Sequence, residues 1–567
     1  MSIQWLRHTG ALLALLAVLP AGAKQPAAQP VTGSHGMVVT AQHLATDVGV
    51  AILKQGGNAI DAAVAVGYAL AVVHPCCGNI GGGGFMLIRL ANGKKAFLNF
   101  REKAPLAASA DMYQNPQGHV IPGLSTRSWK SVGVPGTVMG LDTALKKYGT
   151  MSLKQVMAPA IRLAAKGFVL VPGDVRVLHY GVRKFKGQSN VAAIFLNHGK
   201  PYQVGDRLVQ KDLAHTLQLI ARHGTQAFYD GPIADALVKA SQAHGGLFTK
   251  KDFEQYNVEW ETPIHCDYRG YDVWSSPPPS SGGTTMCEIM NIVSGYPLSK
   301  FGFHSVNSVH YLAEAMRHAY ADRNTKLGDP DFVHNPIATL LSAKHAARIR
   351  SHIQPKRATP SRDIAGGVNL TEGRDTTHYS IVDAHGNAVA VTYTINLAFG
   401  SGHIAGNTGF FLNDEMDDFT SKPGVPNSFG LVQGKANAIA PGKRPLSSMT
   451  PTVVTHKGHL FMVTGSPGGS RIITITLESI LNVLDYGMNV QQAIDAPRIH
   501  QQWLPDVVEV ESHALKPDVK RTLEQRGYTF KTAGPWGSAE AIVVDPKTGK
   551  LEGASDPRAP AGSAAGY

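Results

Sequence analysis

Two hydrophobic periodicities alternate along the chain. Apolar positions recur at helical spacing over 41–54 and again over 59–73, stopped by Gly56-Gly57 and by Pro75. A glycine run, Gly78 to Gly84 with Asn79 and Ile80 inside it, then opens onto Phe85-Met86-Leu87-Ile88-Arg89, which predicts a strand. Ala96 to Phe100 predicts a second strand, ending at Arg101. Residues 150–250 are mainly helical in pattern, and 305–323 predicts a helix with Val306, Val309, Leu312, Ala313, Met316 and Tyr320 on its apolar side. Segment 354–375 has no period and is rich in Arg, Pro, Gly and Asp, which predicts an exposed, mobile connector. Beyond it the character changes. Tyr379–Asp383 and Ala388–Thr394 predict strands joined by the turn Ala384-His385-Gly386-Asn387. Further strands are expected at 451–455, 460–464 and 539–544, and a helix near 471–485. The mixture gives an α/β or α+β class.

The first residues change the picture. Arg7 is followed by the apolar run Ala11 to Leu19 and by Ala21-Gly22-Ala23, the pattern of a signal peptide over 1–23 cut after Ala23. The expected location is periplasmic or secreted. Ala59 to Val73 is too short for a span of about 20 residues and contains Asp61, so it reads as a buried helix. At 43% hydrophobic and 17% charged residues, the chain is neither disordered nor a coiled coil. The formal charge of +12 comes without a dense Lys/Arg run interleaved with aromatics, so the basic balance reads as a solvated surface that draws in anions, with no nucleic acid as partner. Cys76, Cys77, Cys266 and Cys287 allow one bridge whose pairing sequence does not settle, and their spacing suggests no zinc site.

G-x-S-x-G, H-E-x-x-H, Walker and G-x-G-x-x-G signatures are absent, so no cofactor or metal is expected. The junction Asp375-Thr376 places a threonine at the head of a strand, just after the connector. If the bond before Thr376 is cut, its hydroxyl gains a neighbouring α-amine of pKa ~7.7–8.0, able to act as base at neutral pH. Antiparallel pairing about a turn centred on His385 puts Thr394 opposite Thr376, with Asn396 two residues on, on the same face. Gly468-Gly469, between an apolar strand and a helix, suit an oxyanion hole. Ser447-Ser448 can donate to a carboxylate and Arg101 can clamp one. Asp417-Asp418 is an acid pair, a cation subsite or a surface pair. His310, Glu314 and His318 share one helix face, a spacing that also fits an ordinary core.

Several of these segments together resemble the γ-glutamyltransferases: Thr376 to Asp383, Gly386 to Thr394, Lys443 to Met449, Gly465 to Arg471, Gly81 to Arg89, and Phe100 to Pro105. The resemblance runs from about residue 36 to Gly566-Tyr567. It implies an α+β, N-terminal-nucleophile hydrolase fold, a four-layer αββα sandwich. It implies a precursor that cuts itself between Asp375 and Thr376 into a large subunit, 24–375, and a small subunit, 376–567, which remain together as a heterodimer. The implied substrates are glutathione and other γ-glutamyl compounds, with water, an amino acid or a dipeptide as acceptor. By resemblance Thr376 is the nucleophile, Thr394 supports it, and the amides of Gly468 and Gly469 stabilise the oxyanion. Arg101, Ser447 and Ser448 hold the donor's α-carboxylate, while Asn396, Glu415 and Asp418 hold its α-amine.

Two positions depart from the pattern. Residue 415 is Glu where several bacterial members have Gln. Pro423 to Gly430 resembles a lid over the site, with Phe429 where some members have Tyr, which implies a looser lid held by apolar contact. The rival readings are a glutaryl or cephalosporin acylase of the same fold, a silent periplasmic binding protein, and a metal-dependent hydrolase using His310 and His318.

Overall fold

The computed structural model describes residues 28–364 and 376–567. The signal segment and Asp375 lie outside the described residues. Two seven-stranded sheets form the centre. In the first, the strand order is Ser563–Gly566, Met37–Thr40, Thr377–Val382, Ala388–Thr394, Gly83–Arg89, Lys95–Phe100 and Glu259–Glu261. In the second it is Val31–Gly33, Leu551–Ser555, Glu540–Val544, His459–Gly465, Thr452–His456, Tyr271–Ser275 and Ile264–Tyr268. Neighbouring strands in both sheets are antiparallel.

Strand periodicity builds three apolar layers. On Thr377–Val382, Tyr379 and Ile381 face the helices Ala59–Val73 and Thr137–Tyr148 in one core. The alternate positions, ending in Val382, face the second sheet, where Phe85, Leu87, Ala390, Val453, Val463 and Ile542 form an inter-sheet core. Beyond the second sheet, helices Gly282–Val293, Val306–Lys326 and Ile472–Leu484 close a third core. Helix, sheet, sheet, helix is the expected four-layer αββα sandwich. Because both faces of the central strands are covered, they read as continuous apolar runs.

Helix Ala59–Val73 begins and ends as its pattern predicts. Asn58 caps it, accepting from the Ile60 and Asp61 amides, and every residue of the helix is buried. The glycine run has a steric cause. A Cβ on Gly81, Gly82, Gly83 or Gly84 would lie 2.2, 1.9, 2.5 or 2.4 Å from the carbonyl oxygen of Phe411, Thr394, Phe100 or Thr392. Side chains are excluded where this segment threads between neighbouring backbones.

The connector differs in part from its expectation. Gln354 to Arg357, Arg362 and Asp363 are exposed as expected, but the stretch is anchored at Ala358 and Ser361: Ser361 is buried, its hydroxyl donates to the Trp503 carbonyl at 2.6 Å, and the Trp503 indole donates back to the Ser361 carbonyl at 3.0 Å. Aperiodic polar sequence here reflects anchoring by individual hydrogen bonds. The cysteines form two bridges rather than one, Cys76–Cys77 and Cys266–Cys287. The second ties strand Ile264–Tyr268 to helix Gly282–Val293.

Candidate active site

The hairpin register is the one its turn predicts: Thr377 pairs Tyr393 and His378 pairs Thr392. One step further, Thr376 Oγ1 lies 3.2 Å from Thr394 Oγ1. The Asn396 amide donates to Thr394 Oγ1 at 2.9 Å, and the Thr394 hydroxyl has two acceptors within reach, the Asn396 carbonyl at 3.5 Å and Thr376 Oγ1 at 3.2 Å. Asn396 itself has a positive φ of 72°, and its side-chain amide donates to the Asp414 carbonyl at 3.0 Å. That left-handed residue turns the chain out of the strand, so the two threonines stand at its edge rather than in its middle.

They open onto a cavity that encloses ≈ 290 Å³ between atoms. Its wall includes Thr376, Thr394, Asn396, Glu415, Asp418, Phe429, Ser447, Ser448 and Gly469, so nine of the expected site residues converge. Gly468 precedes Gly469 with φ +141°, and Gly469 with φ +58° opens a short helical turn into helix Ile472–Leu484. Both conformations favour glycine.

Arg101 stands behind the wall. Its Nη atoms pair with Glu415 and Asp418, and its Nε donates to the Pro445 carbonyl at 3.2 Å. These carboxylates hold its charge firmly, well above an ordinary guanidinium. Glu102, absent from the sequence expectations, completes the cluster at 3.5 Å from Arg101. Burial pushes Glu102 up to about 7, despite the opposing pull of Arg101 and a hydrogen bond with Glu415. Burial also raises Glu415 well above the usual carboxylate range. Glu102 Oε1 and Glu415 Oε2 have no hydrogen-bond partner among the described residues.

Asp417 and Asp418 part company. Asp417 accepts from Ser125 Oγ at 2.6 Å and from the Ser428 amide at 2.9 Å, while Asp418 faces Arg101. The Ser428 contact fastens the expected lid. Phe429 is buried against the third core, and its carbonyl accepts from Gln502 at 3.4 Å. The lid is therefore held by polar backbone ties as well as by apolar contact.

His310, Glu314 and His318 do not converge on a metal position. His310 uses Nε2 on the Gln354 carbonyl and Nδ1 on the Tyr528 hydroxyl, and Glu314 accepts from Tyr528 and the Thr359 amide. Sequence reasoning read the other side of this helix only as an apolar face. Tyr320 donates to the Ser470 carbonyl at 2.5 Å, bracing the glycine turn, and Arg323 reaches Ser448 Oγ at 2.9 Å from within the cavity wall. The signal was present: Met316 and Tyr320 continue at helical spacing to 323, where an arginine interrupts the apolar stripe.

His378 lies two residues from Thr376 on the inter-sheet face. Its Nδ1 is 2.8 Å from Thr392 Oγ1 and its Nε2 3.1 Å from Ser380 Oγ, and burial pushes its imidazole down to about 3. A neutral His378 is expected to show no titration of its ring resonances from about pH 8 to about pH 5, measured by NMR. A midpoint near 6.5 would refute this packing. Its folded pKa lies below the unfolded value, so the stability it contributes is present above about pH 6.5 and is lost as pH falls toward 3.

Comparison with known proteins agrees with this geometry. Residues 45–567 match the family model described as Gamma-glutamyltranspeptidase. The glutathione hydrolase proenzyme of Pseudomonas sp. (strain A14) is 58% identical over 547 residues, covering 95% of each chain. That of Escherichia coli (strain K12) is 48% identical over 550 residues, covering 96% of this chain and 94% of the relative. The crystal structure of a cephalosporin acylase from Bacillus halodurans superposes with a TM-score of 0.83 at 29% identity, over 97% of this chain and 99% of that one. With the family model matched over residues 45–567 and relatives at 58% and 48% identity across nearly the whole chain, one assignment follows: this chain belongs to the gamma-glutamyltranspeptidase family.

Proposed function

We propose that the chain is a glutathione hydrolase and γ-glutamyltransferase made as a self-cleaving precursor. The observation that carries this is the Thr376–Thr394 pair at 3.2 Å in a cavity with two kinds of wall. Glu415 and Asp418 bring carboxylates to its lining, and Ser447 and Ser448 bring hydroxyls. An acyl group carrying both an α-ammonium and an α-carboxylate uses both walls. A glutaryl group has no cation to set against the acids, which disfavours the acylase reading.

In maturation, Thr376 Oγ1 attacks the Asp375 carbonyl, the peptide C–N bond breaks, and an ester forms with release of the Thr376 α-amine. Water hydrolyses the ester and leaves subunits 24–375 and 376–567. In turnover the α-amine accepts the Thr376 proton as Oγ1 attacks the γ-amide carbon. The amides of Gly468 and Gly469 receive the oxyanion, and the proton passes to the departing amine. Water or the amine of an amino acid or dipeptide then takes the γ-glutamyl group. Arg101 binds the α-carboxylate by exchanging its pairs with Glu415 and Asp418, and those acids turn with Asn396 to the α-ammonium. Two ion pairs replace one network, so the swap costs little charge. Export to the periplasm or beyond is part of the proposal, supported by the signal pattern and by the Cys266–Cys287 bridge.

N-terminal sequencing of the purified protein tests the reading, together with turnover of L-γ-glutamyl-p-nitroanilide against glutaryl-p-nitroanilide. Two fragments, one beginning at Thr376, and preference for the γ-glutamyl donor are expected. An uncut chain, or preference for the glutaryl donor, sinks it.

A further inference from the structure

Arg323 is a cation in an unusual position. It is buried at 1% exposure on helix Val306–Lys326 and lines the cavity of Thr376. Buried Arg101, Arg317, Arg444, Arg471 and Arg498 each meet a carboxylate, and buried Arg89, away from the cavity, is held by the Leu90, Gly386 and Gly458 carbonyls. Arg323 meets none within ion-pair distance among the described residues. Its Nε donates to Ser281 Oγ at 2.9 Å, its Nη1 to Asn324 Oδ1 at 2.7 Å and its Nη2 to Ser448 Oγ at 2.9 Å. All three acceptors are neutral. Burial draws its pKa down to about 10, so it is still charged at neutral pH. Asp418, beyond ion-pair distance and itself paired with Arg101, offsets that burial only in part. Removing a charge from water without a close counter-ion is costly, and the cost is recovered when a ligand supplies the anion.

Ser448 shows where that anion sits. Its Oγ accepts from Arg323, so its own proton must point elsewhere. No acceptor for that proton is present among the described residues, and Ser448 also lines the cavity. A hydroxyl polarised by a guanidinium from behind is a strong donor to a carboxylate in front.

Building on the γ-glutamyl reading, we propose that Arg323 is the positioning residue of the donor's carboxylate subsite, acting through Ser448 and supplying a charge that Arg101 shares with Glu415 and Asp418. Arg323 fixes the direction of the Ser448 proton and offsets the carboxylate's charge without touching the reacting amide. It therefore governs selection of donors that carry an α-carboxylate and leaves the chemistry at Thr376 to other groups.

The test compares L-γ-glutamyl-p-nitroanilide with 4-aminobutyryl-p-nitroanilide, which keeps the amine and lacks the carboxylate. For R323Q the ratio of kcat/KM values, γ-glutamyl over 4-aminobutyryl, is expected to fall about 30-fold, mainly through KM. S448A is expected to lower the same ratio, and the double variant to lower it no further than the stronger single one. R323K, which keeps the charge and loses the fork, should fall between. An equal loss on both donors, or additive effects of R323Q and S448A, would overturn the proposal. If R323Q does not fold or mature, S448A and R323K still decide it. Where the 4-aminobutyryl anilide turns over too slowly, competitive inhibition by 4-aminobutyrate against L-glutamate gives the same ratio. Failure of the γ-glutamyl reading itself looks different: the wild-type enzyme would prefer glutaryl-p-nitroanilide, and the carboxylate effect of R323Q would then be read on that donor against the 4-aminobutyryl one.

Discussion

Thr376→Ala is expected to leave the chain in one piece, running at about 60 kDa on a denaturing gel, and to lower γ-glutamyl-p-nitroanilide cleavage by at least ~10⁴-fold. Two losses combine. Without Oγ1 no ester forms at the Asp375–Thr376 junction, so the α-amine that serves as base is never released. The methyl of alanine then offers no nucleophile even if another protease makes the cut. The fold should survive. Thr376 sits at the cavity edge and its hydroxyl meets a second hydroxyl, Thr394 Oγ1, at 3.2 Å, so its loss leaves no buried charge. The matching variant is Thr376→Ser, which keeps hydroxyl and amine and should still yield fragments and measurable turnover. A cut Thr376→Ala chain, or an active one, would remove Thr376 from the mechanism.

The parts of this architecture that sequence revealed are those with local causes. Helix Ala59–Val73 and strand Ala388–Thr394 match their expected bounds because caps, turns and apolar period all lie within a few residues. The Thr376–Thr394 pair was legible for the same reason, since a short turn fixes antiparallel register. The walls of the cavity around that pair are not local. Glu415 and Asp418, Ser447 and Ser448, and Gly469 come from three separate segments gathered by two sheets; their side-chain chemistry singled out Asp418, the two serines and Gly469 as candidates, but only resemblance to the family joined them and added Glu415. Arg323 and Glu102 escaped because their neighbours explain themselves as core. An arginine in an apolar stripe and a glutamate beside a known arginine acquire meaning only once burial and partners are known. The anchor at Ser361 escaped for the opposite reason: polar, aperiodic sequence, mostly exposed here, gives no sign that Ser361 and Trp503 bind it down.

Gly82→Ala tests whether this backbone framework, rather than any single side chain, aligns the nucleophile. A Cβ at Gly82 would lie 1.9 Å from the Thr394 carbonyl oxygen, with Asn79 Oδ1 and Ile395 Cγ2 each at 2.9 Å. The obstacle is main chain, so no side-chain rotation relieves it. Gly82 is also held on its own side: its amide donates to Asn79 Oδ1 at 2.9 Å, and its carbonyl accepts from the Gly136 and Thr137 amides at 2.7 and 3.0 Å. The strain must therefore move strand Ala388–Thr394 at its end, where Thr394 meets Thr376. The expected cost is about 3 kcal/mol or more in unfolding free energy, together with slowed or absent cleavage at Thr376. Gly534→Ala provides the contrast, since nothing lies within 4 Å of a Cβ there. It should leave the unfolding midpoint unchanged or slightly raised. Urea unfolding and the rate of fragment appearance on a gel read both effects. If Gly82→Ala matured and turned over like the wild-type chain, the close approach of these two backbones could not be what sets the threonine pair.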